Sequence, residues 1–215
     1  MSEGADLERA IAHYRDLAPR YDHATRFIDR IRLRTIAALG LREGEAVLDA
    51  GCGTGWCLPH LARAVGPSGR VIGFDPSPEM LAIARARRLA PEAGALELVE
   101  STAAAFVSPR PVEAILFSYT HDLLQSRDSV ARVLAQARPG ARVAATSTKL
   151  YAPWLAPANW YLRYTHREYI TDFRSFDAPW ALLAGELDDF RVETGPLTQH
   201  YVATGRVREP ALQRA

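Results

Sequence analysis

VLDAGCGTGW, Val47 to Trp56, sets a short apolar strand, an acidic residue and three alternating glycines in immediate succession. Val47 and Leu48 read as a buried parallel strand, while Gly51, Gly53 and Gly55 allow a tight turn whose backbone can approach a ligand without side-chain obstruction. Apolar residues then recur at helical spacing through Cys57, Leu58, Leu61, Ala62 and Val65, so the turn opens a helix whose first amides face the same ligand. The natural occupant of such a turn is a nucleotide-like molecule.

Beyond the turn Gly66-Pro67-Ser68-Gly69, Val71 to Phe74 reads as a second buried strand that ends at Asp75 and passes through Pro76 into another helix. An acidic side chain at the carboxyl end of a second strand can accept both hydroxyls of a ribose lying across the glycine turn. A dinucleotide fingerprint looks alike. This chain, however, has no second GxGxxG unit and is short for a dehydrogenase with a separate substrate domain.

With VLDAGCGTG and a following strand that ends in Asp, the chain resembles the class I S-adenosylmethionine-dependent methyltransferases, from about Tyr14 to Arg206. The resemblance implies an α/β fold: a Rossmann-like, doubly wound, seven-stranded and mostly parallel sheet, with a C-terminal antiparallel hairpin and helices on both faces. It also implies S-adenosylmethionine as cofactor, with S-adenosylhomocysteine as its product. Asp49 would meet the ammonium of the methionine end, Gly51, Cys52, Gly53 and Gly55 would pass beneath the cofactor, Asp75 and Pro76 would border the ribose, and Met80 the adenine. Many members place an acidic residue after the third strand to read adenine, but here Ser101 holds that position, so Ser101, Thr102 or a backbone group takes the role.

Composition supports one soluble domain over residues 1–215: 48% of the residues are hydrophobic and 24% charged, and the formal net charge is +1. That balance offers no global basic field, which disfavours nucleic acid as the main substrate. Cys52 and Cys57, the only cysteines, read as small buried thiols and make a poor zinc set, so no metal is expected. There is no apolar stretch of signal-peptide or membrane-span length, which fits a cytoplasmic protein.

Residues 6–39 read as a helical cap of two helices broken near Pro19, similar to the caps of small methyltransferases, including those acting on quinones. Tyr14 and Tyr21 are either lid residues over the cofactor or aromatic packing within the cap. In the helix from Glu79 to Leu89, Arg85, Arg87 and Arg88 read as a solvated charged face. Val112 to Tyr119 reads as a fourth strand whose carboxyl end, at Phe117 and Ser118, would border the methyl donor. Tyr119 and His121 follow as acceptor-facing residues, and His121 is the candidate general base; orientation of the acceptor and helix capping are its alternatives.

A helix from Ser126 to Ala137, stopped by Pro139-Gly140, is expected to precede a fifth strand from Ala141 to Ser147. Residues 150–175 read as an insertion covering the acceptor, in which Trp154, Trp160, Tyr161 and Tyr164 either hold a ring or an alkylated ammonium or pack a helical cap. His200 borders the acceptor pocket or the core by strand alternation. The expected activity is methyl transfer to an O or N atom of a small molecule by a monomer or homodimer. Two alternatives stand beside it: a lipid or quinone methyltransferase in peripheral contact with a membrane, and a non-catalytic S-adenosylmethionine-binding protein.

Overall fold

The computed structural model describes residue 18 and residues 20–166 and 175–208. Tyr14, Pro19 and residues 167–174 of the expected insertion lie outside them. Among the described residues seven strands form one sheet: β1 (Ala46–Ala50), β2 (Arg70–Asp75), β3 (Ala95–Glu100), β4 (Val112–Ser118), β5 (Ala137–Thr146), β6 (Leu187–Thr194) and β7 (Tyr201–Val207). Their order across the sheet is β3-β2-β1-β4-β5-β7-β6. The first five are parallel, whereas β7 runs antiparallel between β5 and β6.

Successive side chains of a strand point to opposite faces, and both faces here are covered, which is why the strand sequences are continuously apolar. Val47, Val71, Ala114, Leu116 and Ala144 pack against α1 (Asp29–Ala38), α2 (Leu58–Val65) and α3 (Pro78–Arg85). Their neighbours Leu48, Ile72, Ile115, Phe117 and Val143 face the other way, against α4 (His121–Gln125), α5 (Arg127–Leu134) and α7 (Ala181–Glu186). Between them in the chain, α6 (Ala156–His166) lies within the expected insertion. The strand order reverses between β1 and β4, so the carboxyl ends of these two strands open the crevice in which a sheet of this kind holds its ligand.

Two local expectations are corrected. The helix expected from Ser126 to Ala137 is the shorter Arg127–Leu134, which Ser126 caps by accepting the amide hydrogen of Ser129, and a separate short helix, His121–Gln125, precedes it. Strand β5 begins at Ala137, so Pro139-Gly140 lies inside it rather than stopping a helix. The β4–β5 register shifts between Val112 and Ala114 at this point, and such an irregularity accommodates a residue with no amide hydrogen to give. In the cap, residues 20–24 are helical and are followed by Thr25 and the 3-10 turn Arg26–Ile28, while the expected break near Pro19 lies outside the described residues.

Candidate active site

A cavity of about 710 Å³ opens at the carboxyl ends of β1, β2 and β4. Beneath it the glycine turn is held open by its backbone: Gly51, Gly53 and Gly55 all have φ between 54° and 73°, the left-handed region that side chains disfavour. The three glycines do different work. A Cβ on Gly53 would meet nothing within 4 Å and would project into open space, so this is where a ligand can lie directly on the backbone. A Cβ on Gly55 would stand 2.6 Å from Leu58 Cδ1 and 2.8 Å from Ala84 Cβ. Gly55 therefore serves the packing of α2 against α3 and does not line the cavity.

Asp75 ends β2 with its carboxylate fastened from behind: Oδ2 accepts the Gly53 amide hydrogen at 2.9 Å and Oδ1 that of Ser77 at 2.9 Å. Each oxygen keeps further lone pairs for a diol in the cavity. Burial raises its pKa, against the opposing pull of the Ser77 and Gly53 amides. Asp49, at the end of β1, is buried, and its Oδ2 has no hydrogen-bond partner. Burial pushes its pKa up to about 7; the nearby Arg32 guanidinium opposes that shift and Asp75 adds to it. A buried carboxylate with an orphaned oxygen is a ready site for a ligand cation.

Arg32, which the sequence reading did not single out, comes in from α1 and lines the same cavity at only 4% exposure. Its guanidinium lies over the rings of Trp56 and Tyr119, 5.2 and 5.6 Å from their centroids. Its Nη1 makes only long hydrogen bonds, 3.4 Å to Thr25 Oγ1 and 3.5 Å to Asp29 Oδ1. Asp49 and Arg32 thus present opposite charges to one space, a pairing that suits a zwitterionic amino-acid tail. The only sequence signal for Arg32 was an arginine on the apolar side of a helix, at the Ile28, Arg32, Thr35, Ile36 spacing.

At the far side, β4 delivers Ser118, Tyr119 and Thr120 to the cavity and α4 begins with His121. Tyr119 holds φ at 60°, a left-handed backbone that costs a bulky residue about 1–2 kcal/mol. Its hydroxyl is 3.0 Å from His200 Nδ1. Burial drives the phenol pKa far up, so the hydroxyl keeps its proton. His121, 7% exposed, sets Nδ1 2.9 Å from Ser147 Oγ and its ring edge-on to Phe176.

Tyr21, Asp49, Gly51, Cys52, Gly53, Asp75, Pro76, Met80, Thr102, Ser118, Tyr119 and His121 all border the one cavity. Others among the expected site residues do not. The Phe117 side chain is wholly within the core on the α5 side. Ser101 gives its hydroxyl hydrogen to the Thr102 carbonyl, leaving Thr102 at the cavity wall, and Glu100 is exposed. His200 stands behind Tyr119. Trp154, Trp160, Tyr161 and Tyr164 are exposed on the 3-10 turn Pro153–Leu155 and α6, away from the cavity, with Trp160 and Tyr164 stacked at 6.0 Å one helical turn apart. The arginine face also differs from expectation. Arg87 is engaged with Asp22 and Thr54 instead of being solvated.

The family profile described as a methyltransferase domain matches residues 47–140, from the first residue of the glycine-turn motif into β5. Residues 47–140 are thus similar to a methyltransferase domain. The solved DhpI–S-adenosylhomocysteine complex shares the fold of that domain, with a TM-score of 0.63, 19% identity and coverage of 95% of this chain and 98% of that one. The N-methyltransferase NodS of Bradyrhizobium japonicum, in complex with S-adenosylhomocysteine, superposes with a TM-score of 0.62 at 16% identity, covering 95% and 98%. Among curated sequences, the demethylmenaquinone methyltransferase of Lactococcus lactis is 31% identical over 151 residues, 66% of this chain and 59% of that protein. An uncharacterised 37.1 kDa protein of a Streptomyces fradiae transposon is 42% identical over 112 residues, 49% of this chain and 31% of that protein. The chain thus spans less than two thirds of the length of these curated relatives.

Proposed function

We propose that this protein is an S-adenosylmethionine-dependent methyltransferase acting on an O or N atom of a small molecule. The observation that carries the reading is the paired provision at the carboxyl ends of β1 and β2. Asp75 is fastened by two amides and offers its outer lone pairs to a ribose, and Asp49 holds an orphaned oxygen for an ammonium. Arg32 would take the carboxylate of the same amino-acid tail, and Gly53 leaves its Cβ space to the ligand. Bound there, S-adenosylmethionine would supply an electrophilic methyl group.

In-line displacement of this kind depends chiefly on positioning, and the chain's own residues provide it. Ser118 and Tyr119 border the space beyond β4 in which an acceptor would stand, and the Tyr119 hydroxyl, bonded to His200, can orient an acceptor oxygen or nitrogen. His121 is the candidate to take the acceptor's proton. Its neighbour Ser147 fixes the ring and makes the choice of tautomer part of the mechanism.

Calorimetry with S-adenosylhomocysteine, followed by an acceptor screen read as a mass gain of one methyl, tests the reading. Binding of S-adenosylhomocysteine in preference to NAD is expected, and no binding would end the proposal. Once an acceptor is found, His121→Ala should lower turnover by about 10² to 10⁴-fold if the residue is a base. If it only orients the acceptor, His121→Asn should restore most of the activity.

The exposed aromatic face favours a second reading, in which the acceptor is a lipid or quinone met at a membrane surface. Trp154, Trp160, Tyr161 and Tyr164 are between 54% and 70% exposed. Trp and Tyr of this kind settle at the level of lipid headgroups. The Lactococcus lactis relative is named as a demethylmenaquinone methyltransferase. No helix of the described residues is long and apolar enough to cross a membrane, so any such contact would be peripheral.

A further inference from the structure

Arg87 stands just past the end of α3, where its amide hydrogen still bonds to the Ala84 carbonyl at 3.2 Å. From there its guanidinium reaches two other segments. Nε donates to the Thr54 carbonyl at 2.6 Å, and Nη2 donates both to Thr54 Oγ1, at 3.2 Å, and to Asp22 Oδ2. The triangle is closed by Thr54 Oγ1, which donates to Asp22 Oδ1 at 2.6 Å. Three sequence-distant pieces of the chain meet at this point: the N-terminal segment, the glycine turn and the helix that follows Asp75.

Neither Arg87 nor Asp22 lines the cavity, but the residues beside and between them do. Tyr21 precedes Asp22 and is part of the cavity wall, and Thr54, 2% exposed, is part of its floor. Thr25 bonds back to the Tyr21 carbonyl through both its amide and its hydroxyl, which stiffens the segment within itself, and accepts a long contact from Arg32 Nη1 on α1. To the glycine turn the segment is fastened at Asp22, by the Thr54 hydroxyl and by the charge-assisted contact to Arg87.

We propose that Arg87 is a positioning residue that clasps the N-terminal segment, through Asp22, onto the glycine turn at Thr54, and thereby sets how long a nucleoside ligand stays in the cavity. The proposal rests on the methyltransferase reading only for the identity of that ligand. One guanidinium grips both the turn's carbonyl and the segment's carboxylate, so the segment docks only when the turn is in its ligand-holding shape. Ligand release then requires the clasp to open. The Arg87 and Asp22 side chains are 20% and 38% exposed, so salt reaches the pair and should speed release.

The test is the dissociation rate of S-adenosylhomocysteine from the wild type, Arg87→Met, Asp22→Asn and the double variant. Arg87→Met keeps the apolar stem and removes only the donors. Each single variant should release the ligand about tenfold faster, with little further change in the double variant because both lose one shared interaction. Raising the salt concentration should accelerate release from the wild type and not from the variants. Hydrogen exchange of the unliganded protein supplies the second arm: the amides of residues 20–25 should exchange faster in Arg87→Met, while those of β1 and β4 keep their wild-type rates. Unchanged release, or single effects that simply add, overturns the clasp. Unchanged exchange in residues 20–25 overturns it without reference to any ligand. A wild-type chain that binds no S-adenosylhomocysteine overturns the methyltransferase reading and the ligand role of the clasp together, whatever the exchange shows.

Discussion

Asp49 is the residue at which burial and chemistry pull hardest against each other. Held at about 7 by burial, its carboxyl group is only half ionised near neutrality, and a protonated carboxyl cannot pair with an ammonium. A bound cation favours the ionised form, so binding must expel a proton whenever the pH lies below this pKa. Affinity for S-adenosylhomocysteine should therefore be full above about pH 7 and fall as the pH is lowered through it. The limiting slope is about tenfold per pH unit for one linked proton. The ligand's amine is cationic across this range and adds no slope of its own. Asp49→Asn should bind weakly at every pH and show no such slope, as read by calorimetry between pH 5.5 and 8.5. A wild-type profile that stays flat would remove Asp49 from the ammonium site. Asp75 also titrates upward, but its two amide donors hold its charge, which is why the steeper dependence is assigned to Asp49.

At the scale of elements, the glycine turn divides its labour in a way that substitution can separate. Gly53→Val adds a side chain in open space, so the variant should fold with a modest loss from backbone strain, about 1–2 kcal/mol, and lose ligand binding. Gly55→Val drives its side chain into Leu58 and Ala84. Overpacking adds about 1–3 kcal/mol to the same strain, and the fold itself should suffer. Urea unfolding of the two variants, set beside their binding, checks the contrast. Equal stabilities would mean that α2 and α3 can part without cost. Three glycines at alternate positions announced a ligand-bearing turn in the sequence, but not which of them faces the ligand. That depends on Ala84, thirty residues away on another helix.

For the whole molecule, the open question is what meets the aromatic face of α6. If the acceptor is taken from a membrane, vesicles containing anionic lipid should sediment with the wild type, and Trp160→Ala with Tyr164→Ala should reduce that binding at least several-fold. Binding of S-adenosylhomocysteine should be untouched, because neither side chain borders the cavity. No co-sedimentation by the wild type would leave the soluble small-molecule acceptor as the reading. Placed on the cavity by expectation, these rings are on the surface because Leu162, between them on α6, turns inward to pack with Leu150 and Phe176. A one-residue offset on a helix swings a side chain by about 100°.

What the sequence determined by itself is local in origin. The strand, the glycine turn and the acidic residues that end β1 and β2 are each written in fewer than ten consecutive residues, and physical chemistry gives such a run few options. The apolar continuity of β1, β2 and β4 likewise told that the sheet is covered on both faces. Tertiary structure alone decided the rest, because those features join residues far apart in the chain. The tertiary fold packs Arg32 over the rings of Trp56 and Tyr119, bonds Tyr119 to His200 across the β4 and β7 ends, and turns Arg87 from a surface charge into a link between Asp22 and Thr54. A charged residue's partner is set by which strands lie side by side, and no periodicity within its own helix records that.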